Sequence, residues 1–174
     1  FSLKGTTSYT LGTLMDPGGA NPFTLQDLAL DISVVAFLIA LGALFVAAEI
    51  ALISLREGQL KALAEKSKRG AKVADLASHP NRFLAAVQVG VTFSGFLSAA
   101  FGADRLGDYL IPALEDAGLS TSISETISLV GLTLVIAYFS LVFGELVPKR
   151  VALHSSEKIA LFVVTPVSVT ARLF

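Results

Sequence analysis

The residues best suited to chemistry lie in one short segment, Phe143-Gly144-Glu145-Leu146-Val147-Pro148-Lys149, at the end of a long apolar run. Glu145 places a carboxylate beside hydrocarbon, where a charge is costly and usually pairs with a cation, a base or backbone dipoles. Pro148 has no N–H, so in an α-helix the Gly144 carbonyl beside that carboxylate loses its donor. Hard cations such as Mg²⁺ prefer such oxygen ligands. The segment therefore predicts a cation site with Glu145 as principal ligand and Gly144 assisting.

A second carboxylate and several hydroxyls add candidate ligands. Glu49 lies near the end of the first apolar run, and we expect it at a membrane depth similar to that of Glu145. The second apolar run offers small and hydroxyl residues that could share a cavity with both acids, namely Gly90, Thr92, Ser94, Gly95 and Ser98. The predicted metal ligands are Glu145, Gly144, Glu49, Thr92 and Ser94.

Each candidate also has a purely structural alternative. Glu145 can pair with Lys149, four residues on, or with Arg150. Glu49 can turn toward the inner membrane surface or cap a neighbouring helix. The hydroxyls can bond back to helix carbonyls or let two helices approach closely.

The elements that position these residues are membrane helices. The chain has 174 residues, of which 53% are hydrophobic and 16% charged, and its mean hydropathy of +0.72 is too apolar for an ordinary soluble domain. Crossing a bilayer takes about 20 apolar residues. Three stretches meet this requirement, and we predict spans at about 28–55, 83–103 and 126–148.

Composition excludes several functional classes. The net charge of −1, without a basic stripe, argues against nucleic-acid binding. Cysteine is absent, which excludes disulfides, thiolate catalysis and cysteine-based metal sites. The sequence has no nucleophile–base pair, phosphate loop or zinc signature, so we predict no catalytic residues, no enzymatic activity and no bound organic cofactor. Ion movement and assembly are the classes that remain.

Charge asymmetry predicts the topology. Residues 56–82 are rich in lysine and arginine, whereas residues 104–125 carry one arginine among five acids, and Lys149-Arg150 follow the third span. Because basic loops stay in the cytoplasm, we predict a multi-pass protein of the cell membrane with its N-terminus outside and its C-terminus cytoplasmic.

The segments outside the spans have weaker patterns. Residues 1–27 form a polar extracytoplasmic segment, and Thr24 to Asp27 have the form of a helix-capping box. After the first span we predict two short amphipathic cytoplasmic helices, broken at Gly70 and stopped at His79-Pro80. We predict a small external helix around residues 106–114, ended by Gly118, and a juxtamembrane helix within residues 151–174.

Three helices form a thin bundle, so we expect a homodimer. Gly95 and Ala99, and likewise Ser94 and Ser98, lie four residues apart on faces that allow close helix contact. These faces serve either the dimer or contacts within one subunit.

Three motifs together resemble the transmembrane domain of the CNNM/CorC (hemolysin C-like) family of divalent-cation transporters. They are Phe45-Val46-Ala47-Ala48-Glu49-Ile50-Ala51-Leu52, Gln88-Val89-Gly90-Val91-Thr92 and the Phe143–Lys149 segment. The resemblance covers about residues 28–174. It implies three transmembrane helices, a homodimer, Mg²⁺ as the transported ion with Glu145 as a ligand, and cytoplasmic CBS-pair and CorC-type domains downstream.

The chain departs from that pattern at two positions. Members with a Mg²⁺ site carry serine where this chain has Val46, and many carry asparagine where it has Val91. The sequence therefore supports two hypotheses. The first is divalent-cation transport or efflux, with Mg²⁺ as the ion, and the second is a non-transporting paralogue that acts as a membrane scaffold or partner-binding module.

Overall fold

The computed structural model describes residues 24–171, apart from the side chains of Arg82 and Ala171. Within this range the chain is helical throughout, with seven α-helices and one π-helical segment: α1 (Leu25–Ser54), α2 (Glu57–Lys66), α3 (Lys68–Ser78), α4 (Pro80–Asp116), α5 (Thr121–Phe139), the π segment (Ser140–Leu146), α6 (Val147–His154) and α7 (Ser156–Ala171). Most of the predicted polar segment 1–27 lies outside the described residues.

Three stretches are long and apolar enough to cross a membrane, at Leu25–Ser54, Phe83–Asp116 and Thr121–His154. The predicted fold class, an all-α membrane protein with three transmembrane helices, is confirmed. We call the end of the bundle that carries α2, α3 and α7 the inner end, and the end that carries the α4–α5 turn the outer end. The names follow the predicted topology.

The capping box predicted at the start of α1 is present. The Asp27 backbone N–H donates to Thr24 Oγ1 at 3.2 Å, and the Thr24 backbone N–H donates to Asp27 Oδ2 at 3.0 Å. Two of the otherwise unpaired N–H groups at the helix start are thereby satisfied. This cap begins α1 at Leu25, three residues before the predicted start of the span.

The two predicted amphipathic helices are present as α2 and α3, but the break between them is not at Gly70. The backbone turns at Ser67, whose Oγ accepts a hydrogen bond from the Gly70 N–H at 3.0 Å and caps α3. Gly70 lies inside α3, where a Cβ would overlap the backbone carbonyl of Leu63. Its role is to let α3 pass close to α2. From the sequence alone, a glycine at such a close contact looks the same as a glycine that breaks a helix.

The prediction of a separate external helix is wrong, because residues 106–114 continue α4 without interruption to Asp116. The charged residues from Asp104 onward change the helix surface without breaking its backbone hydrogen bonds. Gly118 does end the helix, as expected. Its φ of +94° suits glycine, and its N–H donates to the Glu115 carbonyl at 2.9 Å.

The juxtamembrane helix predicted after the third span is present as α7, and residues 172–174 lie outside the described part. Pro166 lies inside this helix. The helix is held against the rest of the molecule by four residues that are almost fully buried: Ala160, Val163, Val164 and Val167. It forms part of the core.

Close contacts at glycines set the register between antiparallel helices α1 and α4. A Cβ on Gly90 would lie 2.6 Å from the ring of Phe45, and one on Gly42 would lie 3.4 Å from the Ser94 Cβ. Near the outer end, the Tyr109 hydroxyl donates to Asp31 Oδ2 at 3.0 Å. These pairs fix which level of α1 each residue of α4 meets.

The contacts between α4 and α5 follow the same pattern. Gly102 lies against Ile136, and a Cβ on Gly107 would lie 3.4 Å from Ser128 Oγ. Small residues on both helices therefore bring them close at the outer end.

The main hydrophobic core lies at the inner end, where α1, α3, α4, α6 and α7 converge. Its largest members include Phe45, Leu52, Phe83 and Val164. Toward the outer end the helices leave clefts between them. The inner end is thus the compact part of the domain.

A substitution at Gly90 tests this register. Gly90→Ala should lower the free energy of unfolding by about 1–3 kcal/mol, because the new methyl group must displace the buried Phe45 ring. Thermal unfolding of the protein in detergent measures the change. Gly95→Ala on the same helix is the control, since no atom lies within 4 Å of its built Cβ. Equal effects of the two variants would contradict the predicted close contact.

Candidate cation site

Glu145 lies in the π segment, directly after the buried Gly144. The Val147 N–H donates to the Val142 carbonyl, five residues back rather than four, so this turn holds one extra residue. A Cβ on Gly144 would lie 3.4 Å from Ser140 Oγ and 3.6 Å from Ile39 Cγ2 of α1. Single π turns occur frequently at functional sites. The extra residue changes where the Glu145 side chain leaves the helix.

Pro148 removes the donor of one carbonyl, and the helix register decides which one. In α register its missing N–H would have served Gly144, and in π register it would have served Phe143. The Val147 N–H donates to Val142 in π register, so Phe143 is the carbonyl left without its helical donor. The sequence predicted this effect at Gly144, because the prediction took the segment as an α-helix.

The Glu145 carboxylate has one charged partner among the described residues. Lys149 Nζ lies 3.6 Å from its Oε2, and the two side chains are 44% and 43% exposed for Lys149 and Glu145. This is the pairing that the structural alternative anticipated. At the predicted inner boundary of the third span, where water can reach the pair, such an interaction is worth only about 0.3–0.5 kcal/mol, so Lys149 is a partner that a stronger cation can displace.

Glu49 is not brought to Glu145. Gly144 meets α1 at Ile39, ten residues before Glu49. At 1.5 Å per residue this separation corresponds to about 15 Å along α1. The two carboxylates therefore lie on different levels, contrary to the expected similar depth. Glu49 is half-buried and forms no hydrogen bond or ion pair with any other described residue.

The predicted hydroxyl ligands separate into two environments. Ser94 is 2% exposed and faces Gly42 of α1, one turn from Ile39, and its Oγ has no hydrogen-bond partner. Thr92 is exposed, and its Oγ1 accepts from Gln88 Nε2 at 3.4 Å. Of the two predicted ligands, Ser94 is therefore the one that approaches the level of α1 where Gly144 packs.

The remaining small residues of the second span have structural roles. Ser98 Oγ donates to the Gly95 carbonyl at 3.0 Å and is buried. Gly90 accommodates Phe45, while Gly95 has open space beside it. The face of α4 that carries Ser94 and Ser98 therefore packs inside the subunit.

Apolar side chains occupy the two positions at which this chain departs from the family members with a Mg²⁺ site, and both side chains are packed. Val46 is 2% exposed, and Val91 lies against the main core. Their methyl groups supply no oxygen. Across residues 24–171, no group of three or more His, Cys, Asp or Glu residues is arranged to hold a metal ion. A metal at Glu145 would therefore keep much of its hydration shell.

The sequence analysis did not single out three serines, one beside the candidate site and two further along α5 toward its start. Ser140 faces Gly144 across the π turn, and Ser124 and Ser128 are buried on α5 with unpaired Oγ atoms. The four-residue spacing of the two α5 serines was the available signal.

The comparisons with known proteins agree with this architecture. Residues 33–174 match the CNNM family model, described as the cyclin M transmembrane N-terminal domain. The chain belongs to the CNNM family. This membership confirms the resemblance drawn from the three sequence motifs.

Relatives extend the comparison to bacteria. The UPF0053 protein sll0260 of Synechocystis is 39% identical over 83% of this chain and 32% of its own length. The UPF0053 protein YhdP of Bacillus subtilis is 32% identical over 76% of this chain and 30% of its own. The polyamine export protein of Haemophilus influenzae is 33% identical over 80% of this chain and 32% of its own. The chain thus spans about a third of the length of these relatives.

The weakness of the ion pair can be measured. Lys149→Gln should change the free energy of unfolding by no more than about 0.5 kcal/mol, because the pair is not enclosed by protein and lies where water can reach it at the predicted inner boundary of the span. Thermal unfolding in detergent, compared with the exposed control Lys61→Gln, checks this expectation. A loss of several kcal/mol would show that Lys149 is an essential partner of Glu145.

Proposed function

We propose that this CNNM domain is the membrane part of a cation transporter and that Mg²⁺ is the ion it moves. The observation that carries the proposal is the π segment, which combines the Glu145 carboxylate with the Phe143 carbonyl that Pro148 leaves without a helical donor. Family membership and a relative named as an export protein support transport across a membrane.

The residues suggest how the ion is held. Mg²⁺ is a hard cation that releases its water reluctantly, so one carboxylate and a few carbonyl or hydroxyl oxygens suffice for a partly hydrated ion. Glu145 supplies the charge, and the carbonyls of the neighbouring residues Phe143 and Gly144 are the backbone oxygens proposed to assist it. Lys149 leaves the carboxylate when the ion arrives. Ser94 of α4 faces Gly42 of α1, one turn beyond Ile39, and offers a buried hydroxyl.

Two other functions are each favoured by a specific observation. A relative named polyamine export protein favours an organic polycation as the substrate. The ion pair between Glu145 and Lys149, together with apolar Val46 and Val91, favours a non-transporting scaffold or regulatory module.

Transport in vesicles separates these functions. In full-length protein, Glu145→Gln should lower Mg²⁺ flux, read from an enclosed Mg²⁺ dye, by at least about tenfold, because the ion loses its principal charged ligand. Glu57→Gln, an exposed acid on α2, is the matched control and should keep the wild-type rate.

Other results of the same vesicle experiment would favour one of the alternative functions. Wild-type flux in Glu145→Gln would remove Glu145 as the principal ligand. Flux of radiolabelled spermidine without Mg²⁺ flux would favour the polycation substrate. Absence of both from wild-type vesicles would favour the scaffold.

We also propose that the domain works as a homodimer. Phe93 and Phe96 are 62% and 73% exposed on α4, while the face with Ser94 and Ser98 is used within the subunit. A partner copy would cover these aromatic rings. Mass measurement of the protein in detergent should give twice the subunit mass. A monomer that persists at high protein concentration would contradict the dimer.

A further inference from the structure

An apolar groove of about 550 Å³ lies between α1 and α5, with Leu106 of α4 lining it between the two helices. We call it the α1–α5 groove. Every described residue that lines it is apolar. The α1 side includes Ala36, Ala40 and Ala43, whose small side chains leave the space open.

A polar pair marks the outer limit of the groove. Asp31 directly precedes Ile32, the first α1 residue of the groove, and its Oδ2 accepts a hydrogen bond from the Tyr109 hydroxyl at 3.0 Å. Tyrosine is enriched where a bilayer meets water. From Ile32 to Ala43 the groove extends about 16 Å along α1, which is about the hydrocarbon thickness of one leaflet. The groove therefore faces the hydrocarbon of the leaflet at the outer end.

The width of the groove distinguishes a hydrocarbon chain from a helix. Its volume of about 550 Å³, spread over about 16 Å, gives a mean cross-section of about 34 Å². An α-helix with its side chains is about 10 Å in diameter and needs about 80 Å². A helix of a second copy can therefore enter only partly, whereas an extended acyl chain fits along the whole length.

The walls of the groove offer contacts on several sides. On α5 the rings of Phe139 and Phe143 are stacked, with centroids 5.9 Å apart, and both line the groove. Ile39 and Val35 line it from α1. Lipid tails are as apolar as these side chains, so the hydrophobic effect does not drive a chain into the groove. Dispersion contacts do, because a chain in the groove touches three helices and a chain on a convex surface touches one.

We propose that the α1–α5 groove holds one acyl chain of a phospholipid. The bound chain lies against both neighbours of Gly144 in the candidate cation site. Ile39 Cγ2 lies 3.6 Å from the position that a Cβ on Gly144 would take, and Phe143 directly precedes Gly144. The inference concerns lipid binding and does not depend on which solute the domain moves.

Retention of phospholipid by the purified protein tests the proposal. Native mass spectrometry after exchange into lipid-free detergent should show one phospholipid per subunit of the wild type. Ala36→Phe places a ring in the groove and should lower the retained fraction by at least about tenfold. Ala137→Phe is the matched control, since Ala137 is exposed on α5 and does not line the groove. Equal retention in both variants, or none in the wild type, would overturn the proposal.

A pair of tryptophan variants locates the chain. This chain has no tryptophan, so an introduced one reports on its own surroundings. Phe139→Trp keeps an aromatic ring in the groove wall, and Leu134→Trp lies at a 65% exposed position about 140° around α5. An equimolar amount of phospholipid with brominated acyl chains should quench the fluorescence of Phe139→Trp and leave that of Leu134→Trp nearly unchanged. Equal quenching would show unselective contact with lipid and overturn the site.

Two further results separate this proposal from the others. If a second copy occupies the groove, Ala36→Phe will convert dimers to monomers in detergent without changing the retained phospholipid, and the lipid proposal will be wrong. Glu145→Gln should retain phospholipid as the wild type does, because Glu145 does not line the groove. The lipid proposal and the transport proposal can therefore fail separately.

Discussion

The structure around Glu145 depends on one missing hydrogen-bond donor, the absent N–H of Pro148. Within a bilayer, backbone groups must find partners inside the protein, because lipid offers none. The helix responds with a π turn before the proline, in which Val147 donates to Val142. This turn places a carboxylate, a buried glycine and one carbonyl without a helical donor, that of Phe143, in the same short segment. The candidate site is thus a consequence of backbone chemistry rather than of a set of converging acidic side chains.

The second constraint is the close approach of helices at glycines. The contacts of Gly42 with Ser94 and of Gly90 with Phe45 leave α1 and α4 little freedom to slide past each other. Once this register is set, the level of every polar group on the two helices follows. Ser94 comes near the level of the π segment, and Glu49 does not. The packing of small residues therefore selects which oxygens can act together.

The distribution of the core gives the two ends of the domain different properties. At the inner end, α3, α6 and α7 cover the three long helices and bury a continuous apolar cluster. At the outer end, among residues 24–171, only α1, α4 and α5 are present, and polar side chains line part of the space between α4 and α5. The compact inner end holds the helices in register, while the outer end leaves a cleft between two of them.

Composition and local pattern determined much of this protein. The membrane class, the three spans and the cap at Thr24 follow from apolar length and from neighbouring residues, so the sequence predicted them correctly. The proximity of Glu145 and Pro148 was also visible, because they are three residues apart in one segment. Family membership was visible for the same reason, since each of its three motifs is a short continuous segment.

Tertiary structure decided the rest. The break at Ser67 rather than Gly70 depends on the crossing of α2 and α3, and the continuity of α4 to Asp116 depends on backbone bonding that charged side chains do not interrupt. The levels of Glu49 and Glu145 depend on contacts between residues about a hundred positions apart. A sequence pattern specifies the face and length of a helix. The height of one helix against another is set by side-chain packing, which no single segment contains.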